Sequence, residues 1–381
     1  MIWKASVVLA MALPLASAAL SDFALQTVLD NATPIFGSYK KSTGGKAEWM
    51  KSYPDETLLV HMNIPGTHDS ATWNYTQATQ DALRGLTDLN HVVVPMPEAL
   101  RCQSSPFIDM LDMGIRAFDL RYAFDPTNFT LIFYHSQALL SRTATVDNVL
   151  FGFYQWLDDH PSETIFLSFQ YQGSTALYAS NNAAVQLQLY NTLTSPAARH
   201  YFVQKKDKLG TLGESRGKIT LMRRFDLDKL PDSYTAALPG LHFSPSLWTD
   251  NGPDITLEYN KAKGLSAYIE DYYQPLTPTG SSAIENIRWK YNATVNNIRK
   301  ATSHHPDSLF WTWASSTNLE NNPPDWPRIM ALGNGTGYTP AGGVNQQLVP
   351  FLKRQKGKRV GIVMFDFFEQ PSDLIDTLLD L

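Results

Sequence analysis

A single cysteine, Cys102, in 381 residues excludes an internal disulfide framework, so an exported form of this chain is held together by burial alone. Long apolar runs are also missing. The stretch from Ala5 to Leu15 is too short to span a bilayer, and the three acids between Asp373 and Leu381 argue against a lipid-anchor tail. There is no basic surplus either. A formal charge of −5 disfavours nucleic acid as a partner and long-range attraction to anionic membranes. What the chain does have is 43% apolar residues, with nine Trp, seventeen Tyr and nineteen Phe. That is ample for the core of one large barrel or two modest domains.

The N-terminus reads as a secretory signal over residues 1–18. Met1 to Lys4 is a short basic start, Ala5 to Leu15 an apolar centre, and Ala16-Ser17-Ala18 a small-residue cleavage site. The expected location is therefore extracellular. Sequons at Asn31, Asn74, Asn128, Asn292 and Asn334 predict a glycoprotein on that route. Residues 19–56 read as an N-terminal helix and a polar arm, with a break at Lys40–Lys46. From residue 57 to 381 no composition break splits the chain.

Eight apolar, β-branched runs are expected as strands: 57–64, 115–121, 131–135, 163–169, 218–224, 265–270, 309–314 and 359–366. Helical patterns lie between several of them, at 145–159, 183–194, 282–302, 344–355 and 372–380. Strands interleaved with helices predict an α/β fold, a single distorted (β/α)8 TIM barrel. The link between the second and third strands is irregular. About nine residues are too few for a helix; they could form a hairpin, or reach about 30 Å, enough to run back past a strand of ~17 Å.

Polar residues of catalytic type collect where those strands end. In Asn63-Ile64-Pro65-Gly66-Thr67-His68-Asp69-Ser70, Pro65-Gly66 is expected to break strand one and present a His, an Asp and two hydroxyls. Asp119 and Arg121 end strand two and His135 ends strand three. Arg224 ends strand five, Asp271 and Tyr273 follow strand six, and Asp366 closes strand eight. Residues two apart on a strand face the same way, so Asp119 pairs with Arg121 and Asp271 with Tyr273, while Arg223 and Arg224 cannot both face inward. Two histidines beside an arginine suit phosphodiester cleavage. One imidazole takes a proton, the other gives one, and the guanidinium neutralises the phosphate. Asp69 and Asp366 are the candidate carboxylates to orient the imidazoles.

Three stretches, Ile64–Ser70, Gly114–Arg121 and Phe133–Ser136, together with His160–Ile165, Arg216–Phe225 and Val360–Asp366, resemble the secreted phosphatidylinositol-specific phospholipase C of the bacterial type. The similarity runs from about residue 57 to the end. It implies a distorted barrel with strands two and three parallel. It makes His68 the general base, supported by Asp366, and His135 the general acid, supported by Asp69, with Arg121 on the phosphate. Asp119, Arg224 and Asp271 contact the ring hydroxyls or line the pocket, and Tyr273 stacks on the ring; the choice of Arg224 over Arg223 comes from this resemblance. Calcium-dependent relatives carry an acidic pair where this chain has Asp119-Leu120-Arg121, so the resemblance implies metal-independent catalysis with no cofactor. The expected partner is an inositol phospholipid at a membrane surface, met by a monomer. Gln170 departs from the family's lysine and bears on head-group choice. Val92-Val93-Val94-Pro95-Met96-Pro97 is open to membrane contact or to packing on a helix. Trp311 and Trp313 read as core or pocket wall, and His160 and His304-His305 as helix caps. Two other functions share these residues: a phosphodiesterase for another ester, such as a glycerophosphodiester, and a catalytically silent lipid-binding barrel. The Asp271/Tyr273 pair favours a ring, and retaining two proton-transfer groups argues against a silent binder.

Overall fold

The computed structural model describes residues 3–87, 94–173, 180–336 and 339–381, with side chains from Leu20 onward. Its strands are β1 Ile64–Thr67, β2 Ala117–Phe124, β3 Leu131–His135, β4 Ala138–Leu139, β5 Thr164–Tyr171, β6 Lys218–Arg224, β7 Leu241–His242, β8 Ile255–Asn260, β9 Leu265–Glu270, β10 Leu309–Trp313 and β11 Ile362–Phe365. Eight of them run parallel in the order β7-β6-β5-β2-β1-β11-β10-β9. β8 adds antiparallel to β9. Among the described residues no ladder joins β7 to β8, so the barrel is nearly but not fully closed.

Strand periodicity explains the interior. Side chains alternate across a strand, so every second residue points inward. Ile64, Ala117, Phe166, Met222, Leu241, Ala267, Ile269, Trp311, Ile362 and Met364 share one buried cluster inside the barrel. Continuing the same alternation toward the carboxyl ends gives His68, Asp119 and Arg121, Gln170, Arg224, Asp271 and Asp366. The interior is therefore apolar at the bottom and polar at the top, as barrel enzymes require. The opposite strand faces pack on helices in the other large cluster, where Phe118, Leu167 and Val363 meet Phe153 and Trp156. The helix Val146–Asp159 starts at a Thr145–Asn148 capping box, and Ala283–Ser303 at a Ser282 cap; both follow the sequence pattern.

Three expectations need correction. Pro65-Gly66 does not break a strand; it lies inside β1, and residues 59–61 form a 3₁₀ turn. The barrel tolerates this because Pro65 still offers its carbonyl to the Arg116 N–H at 2.9 Å. Gly66 is needed for packing, since a Cβ there would sit 2.4 Å from Met364 Sδ and 2.9 Å from the Ala117 carbonyl. Residues 131–135 are not a barrel strand but the return arm of a hairpin, antiparallel to β2 with Tyr122 opposite Phe133. The eighth barrel position falls to the two-residue β7, which carries too little periodicity to be seen in sequence. Asp119 and Arg121 accordingly lie within β2, which overshoots the rim to Phe124, rather than at its end.

At the bottom of the barrel the segment Gly45–Ser52 is tied on by a buried ion pair. Arg116 donates to Glu163 through Nε at 3.0 Å and Nη2 at 2.7 Å. It also donates to the Lys46, Ala47, Leu111 and Ile115 carbonyls. The helix Trp3–Phe36 leads into this arm and sets Phe36 edge-on to Phe153, 5.3 Å away. No helix among the described residues is long and apolar enough to cross a membrane.

Candidate active site

The hairpin turns back soon enough to bring His135 beside Arg121 instead of carrying it to the far end of the barrel. β2 and β3 are in register from Phe124–Leu131 to Tyr122–Phe133, so two further residues along β3 place His135 level with Leu120. The rings of His68 and His135 then stand 6.3 Å apart, nearly perpendicular. A left-handed residue follows three of the candidate groups: Asp69 after His68, Ser136 after His135 and Phe367 after Asp366, with φ of 40°, 53° and 45°. Such conformations are costly for non-glycine residues and here end each strand abruptly, turning the chain out of the mouth. At Asp69 the turn is held by β2, because its N–H donates to Asp119 Oδ2 at 3.2 Å and the Asp119 N–H donates to Ser70 Oγ at 3.0 Å.

Asp69 is the electrostatic centre. Its Oδ1 lies 2.8 Å from Arg121 Nε, and its Oδ2 lies 3.1 Å from His68 Nε2 and 3.0 Å from His135 Nε2. It thus touches both imidazoles, not His135 alone. Burial would raise its pKa, but Arg121, His135 and His68 together hold it well below the usual carboxylate range. Arg121 also donates to Asp119 Oδ2 at 3.0 Å and to Gln172 Oε1 at 3.1 Å. Burial disfavours its charge, yet Asp119 and Asp69 keep it above the ordinary guanidinium value.

The two imidazoles have different hydrogen-bond patterns. His68 Nδ1 is 2.9 Å from Asp366 Oδ1, and an N–H of Arg121 Nη2 points at His68 Nε2 from 2.9 Å. A guanidinium only donates, so that contact asks for a lone pair on Nε2 and a proton on Nδ1. The Asp69 carboxylate pulls the other way. Although burial would lower the His68 pKa, Asp69 and Asp366 raise it well above 6.5, while burial pushes Asp366 itself up. His135 Nδ1 hydrogen-bonds the Leu100 carbonyl at 2.6 Å, while Nε2 lies 3.0 Å from Asp69 Oδ2 in an ion-pair contact that lacks hydrogen-bond alignment. Both neighbours are acceptors, which suits an imidazolium, whereas burial lowers its pKa. Donor geometry and burial therefore disagree about which ring holds the proton. The geometry is the better guide to the liganded state, because an anionic ester between the rings would offset the burial of His135.

These groups open into a cavity of about 550 Å³. Arg224, not Arg223, lines it. Its guanidinium lies 3.8 Å over the Trp248 ring and 4.9 Å from Trp313, with Nη2 3.3 Å from Asp271 Oδ2. Trp311 and Trp313 are buried in the barrel interior as expected. Asp271 also accepts from Trp248 Nε1 at 2.7 Å. The Tyr273 hydroxyl donates toward Asp250, and burial next to that carboxylate pushes its pKa up to about 12. Gln170 lines the same wall, its Oε1 buried and without a hydrogen bond.

Several contributors were not foreseen. Leu100 supplies the carbonyl for His135, and Gln103 donates to the His68 and Phe365 carbonyls at 2.7 and 2.8 Å, tying β1 to β11. Asn345 holds the Asp366 carbonyl at 2.9 Å. Gln172, two residues from Gln170, could have been found by the alternation that found Arg121. Trp248 had no signal in the sequence. Of the predicted apolar loop, Val92 and Val93 lie outside the described residues, Val94 packs against the core and Met96 is exposed. His160 and His304 are helix C-caps as read.

Residues 94–225 match the family model described as phosphatidylinositol-specific phospholipase C, X domain. That span takes in Asp119, Arg121, His135 and Arg224, but not His68, Asp271 or Asp366. The 1-phosphatidylinositol phosphodiesterase of Listeria monocytogenes is 24% identical over 323 residues, covering 85% of this chain and 81% of that protein. Its Staphylococcus aureus (strain Newman) namesake is 22% identical over 281 residues, covering 71% and 81%. Among solved structures, a variant of phosphatidylinositol-specific phospholipase C from Staphylococcus aureus aligns with TM-score 0.67 at 19% identity, covering 88% of this chain and 96% of that one. The Listeria monocytogenes enzyme aligns at 0.58 and 20%, covering 88% and 98%. The barrel and the resemblance expected from the motifs are both borne out.

Proposed function

We propose that this phospholipase C-like phosphodiesterase cleaves phosphatidylinositol, or a glycosylated inositol lipid, to a lipid alcohol and inositol 1,2-cyclic phosphate without a metal. The observation that carries the reading is the placement of two imidazoles 6.3 Å apart across Asp69, with Arg121 on the same carboxylate and 2.9 Å from His68 Nε2. His68 Nε2 takes the proton of the 2-hydroxyl, with the resulting imidazolium stabilised by Asp366. The freed oxygen attacks phosphorus. The bond from phosphorus to the diacylglycerol oxygen breaks, and that oxygen takes the proton on His135 Nε2. Arg121 supplies the fixed positive charge that a calcium ion would otherwise provide. Arg224, Asp271 and Asp119 are positioned for ring hydroxyls, and Tyr273 for the ring face. A second reading exchanges the two histidines; it is favoured by the upward shift of His68 and the downward shift of His135 in the free site.

The remaining assignments are part of the same proposal. Residues 1–18 are a secretion signal, residues 19–56 an arm docked under the barrel, and residues 57–381 the catalytic unit. The protein is a secreted, glycosylated monomer that meets its lipid at a membrane surface. Asn31, Asn292 and Asn334 are exposed enough to carry glycans. Phosphatidylinositol vesicles assayed with phosphorus NMR, with and without EDTA, test the reading. A cyclic phosphate formed equally in both conditions, and not by His68→Ala, is the expected result. Loss of turnover in EDTA that calcium restores would overturn the metal-free mechanism, and turnover of glycerophosphodiesters alone would overturn the substrate.

A further inference from the structure

The ladder between β1 and β11 ends at Thr67 opposite Phe365. His68 and Asp366 lie one residue beyond that pair, and both chains then turn away at residues of positive φ, Asp69 and Phe367. Among the described residues the last backbone bond between the two runs from the His68 N–H to the Phe365 carbonyl at 3.0 Å. His68 Nδ1 and Asp366 Oδ1 nevertheless meet at 2.9 Å. A separate segment, Leu100–Gln103, takes over where the ladder stops. Gln103 is fully buried, and its Nε2 donates to the His68 carbonyl at 2.7 Å and the Phe365 carbonyl at 2.8 Å. A carboxamide nitrogen carries two protons, so this one side chain bridges the two chains. The Cys102 carbonyl accepts from the Phe367 N–H at 2.9 Å, which holds Asp366 through both of its neighbours. The Cys102 N–H donates to Thr72 Oγ1 at 3.0 Å, and the Thr72 hydroxyl donates to the Asp69 carbonyl at 2.8 Å. The Leu100 carbonyl accepts from His135 Nδ1 at 2.6 Å.

We propose that Leu100–Gln103 is a strap that positions His68, Asp69, His135 and Asp366 as one unit, and that Gln103 is its main positioning residue. The proposal rests on the phosphodiesterase reading only in taking His68 as a proton-transfer group, whichever of the two rings is the base. Gln103 is not among the residues that line the cavity, so it acts through the groups it holds. Filling the core does not explain an amide at this position. Its Oε1 is buried without a hydrogen bond, and an unmatched buried oxygen costs stability that an apolar side chain of similar length would not. What the amide adds is its pair of donated bonds, and these end on His68 and on the residue before Asp366. Loosening them lets β1 and β11 move apart beyond the ladder, which lengthens the bond from His68 Nδ1 to Asp366 and shifts the imidazole relative to the phosphorus. A displacement of about 1 Å in a reacting group can cost roughly 100-fold in rate.

The test compares the full chain with Gln103→Met, which keeps the side-chain length and removes both donors. On phosphatidylinositol vesicles kcat should fall about 10- to 100-fold with KM unchanged. The His68 Nδ1 proton, recognised in low-field proton NMR by its absence from His68→Ala, should move upfield or broaden. Melting curves establish that each variant is folded at the assay temperature. Thr72→Val removes a different tie of the same strap and should lose kcat in the same way, so the proposal stays testable if Gln103→Met does not fold. A wild-type kcat, a rise in KM at constant kcat, or an unmoved His68 resonance in Gln103→Met overturns the proposal. The resonance needs no turnover, so it stays readable if the phosphodiesterase reading fails.

Discussion

Replacing His135 with alanine should damage turnover in a way that depends on the leaving group. The imidazole is anchored through Nδ1 by the Leu100 carbonyl at 2.6 Å, and its Nε2 faces Asp69 Oδ2 at 3.0 Å, so it needs little reorganisation to protonate an alkoxide. General acid catalysis contributes about 10²- to 10⁴-fold, and this degree of fixation puts the expected loss on phosphatidylinositol in the upper half, about 10³- to 10⁴-fold. At 1.36 kcal/mol per tenfold that is about 4–5.5 kcal/mol of barrier. A nitrophenyl inositol phosphodiester releases a stable anion and needs no proton, so on it the same variant should lose under about tenfold. His68→Ala should lose heavily on both substrates, because the 2-hydroxyl must be deprotonated in either case. Initial rates of both variants on both substrates decide the matter. Equal losses for His135→Ala on the two substrates would refute its role as acid. Selective recovery of His68→Ala by the nitrophenyl ester would instead exchange the roles.

Three further outcomes follow from the same contacts. Asp69 has a depressed folded-state pKa, so the stability it contributes is present above its unfolded value and is lost as pH falls through the folded one. Asp69→Asn should therefore lose less stability than wild type between about pH 4 and lower pH, as read from urea midpoints across that range; parallel curves would contradict it. Glu163→Ala leaves Arg116 buried and uncompensated beneath the barrel, and should cost about 3–5 kcal/mol in chemical denaturation. A change below about 1 kcal/mol would mean that the four carbonyl contacts of Arg116 hold its charge without the carboxylate. Gly66→Ala drives a methyl into Met364 and the Ala117 carbonyl; a loss of about 1–3 kcal/mol is expected, and a melting temperature equal to wild type would show that β1 can shift.

The local order of this chain could be read from local pattern. Strands such as Lys218–Arg224 and Leu265–Glu270, and the helices beginning at Val146 and Ala283, follow from alternation, 3.6-residue periodicity and caps, all of which act over a few residues. The same local reading put His68, Arg121 and Asp366 at one end of the barrel, because a strand that is apolar at its base and polar at its tip on one face must present the tip to the mouth; the choice of Arg224 over Arg223 came from the family resemblance instead. The direction of residues 131–135 was decided elsewhere. A nine-residue link permits either sense, and the antiparallel pairing that sets Tyr122 opposite Phe133 and the Asp125 N–H on the Thr130 carbonyl makes it a hairpin. The contacts of Leu100 with His135, Gln103 with Phe365 and Trp248 with Asp271 also belong to the tertiary structure. They join residues 23 to 262 positions apart, and no periodicity spans such a gap; only the closing of the barrel brings those atoms within reach.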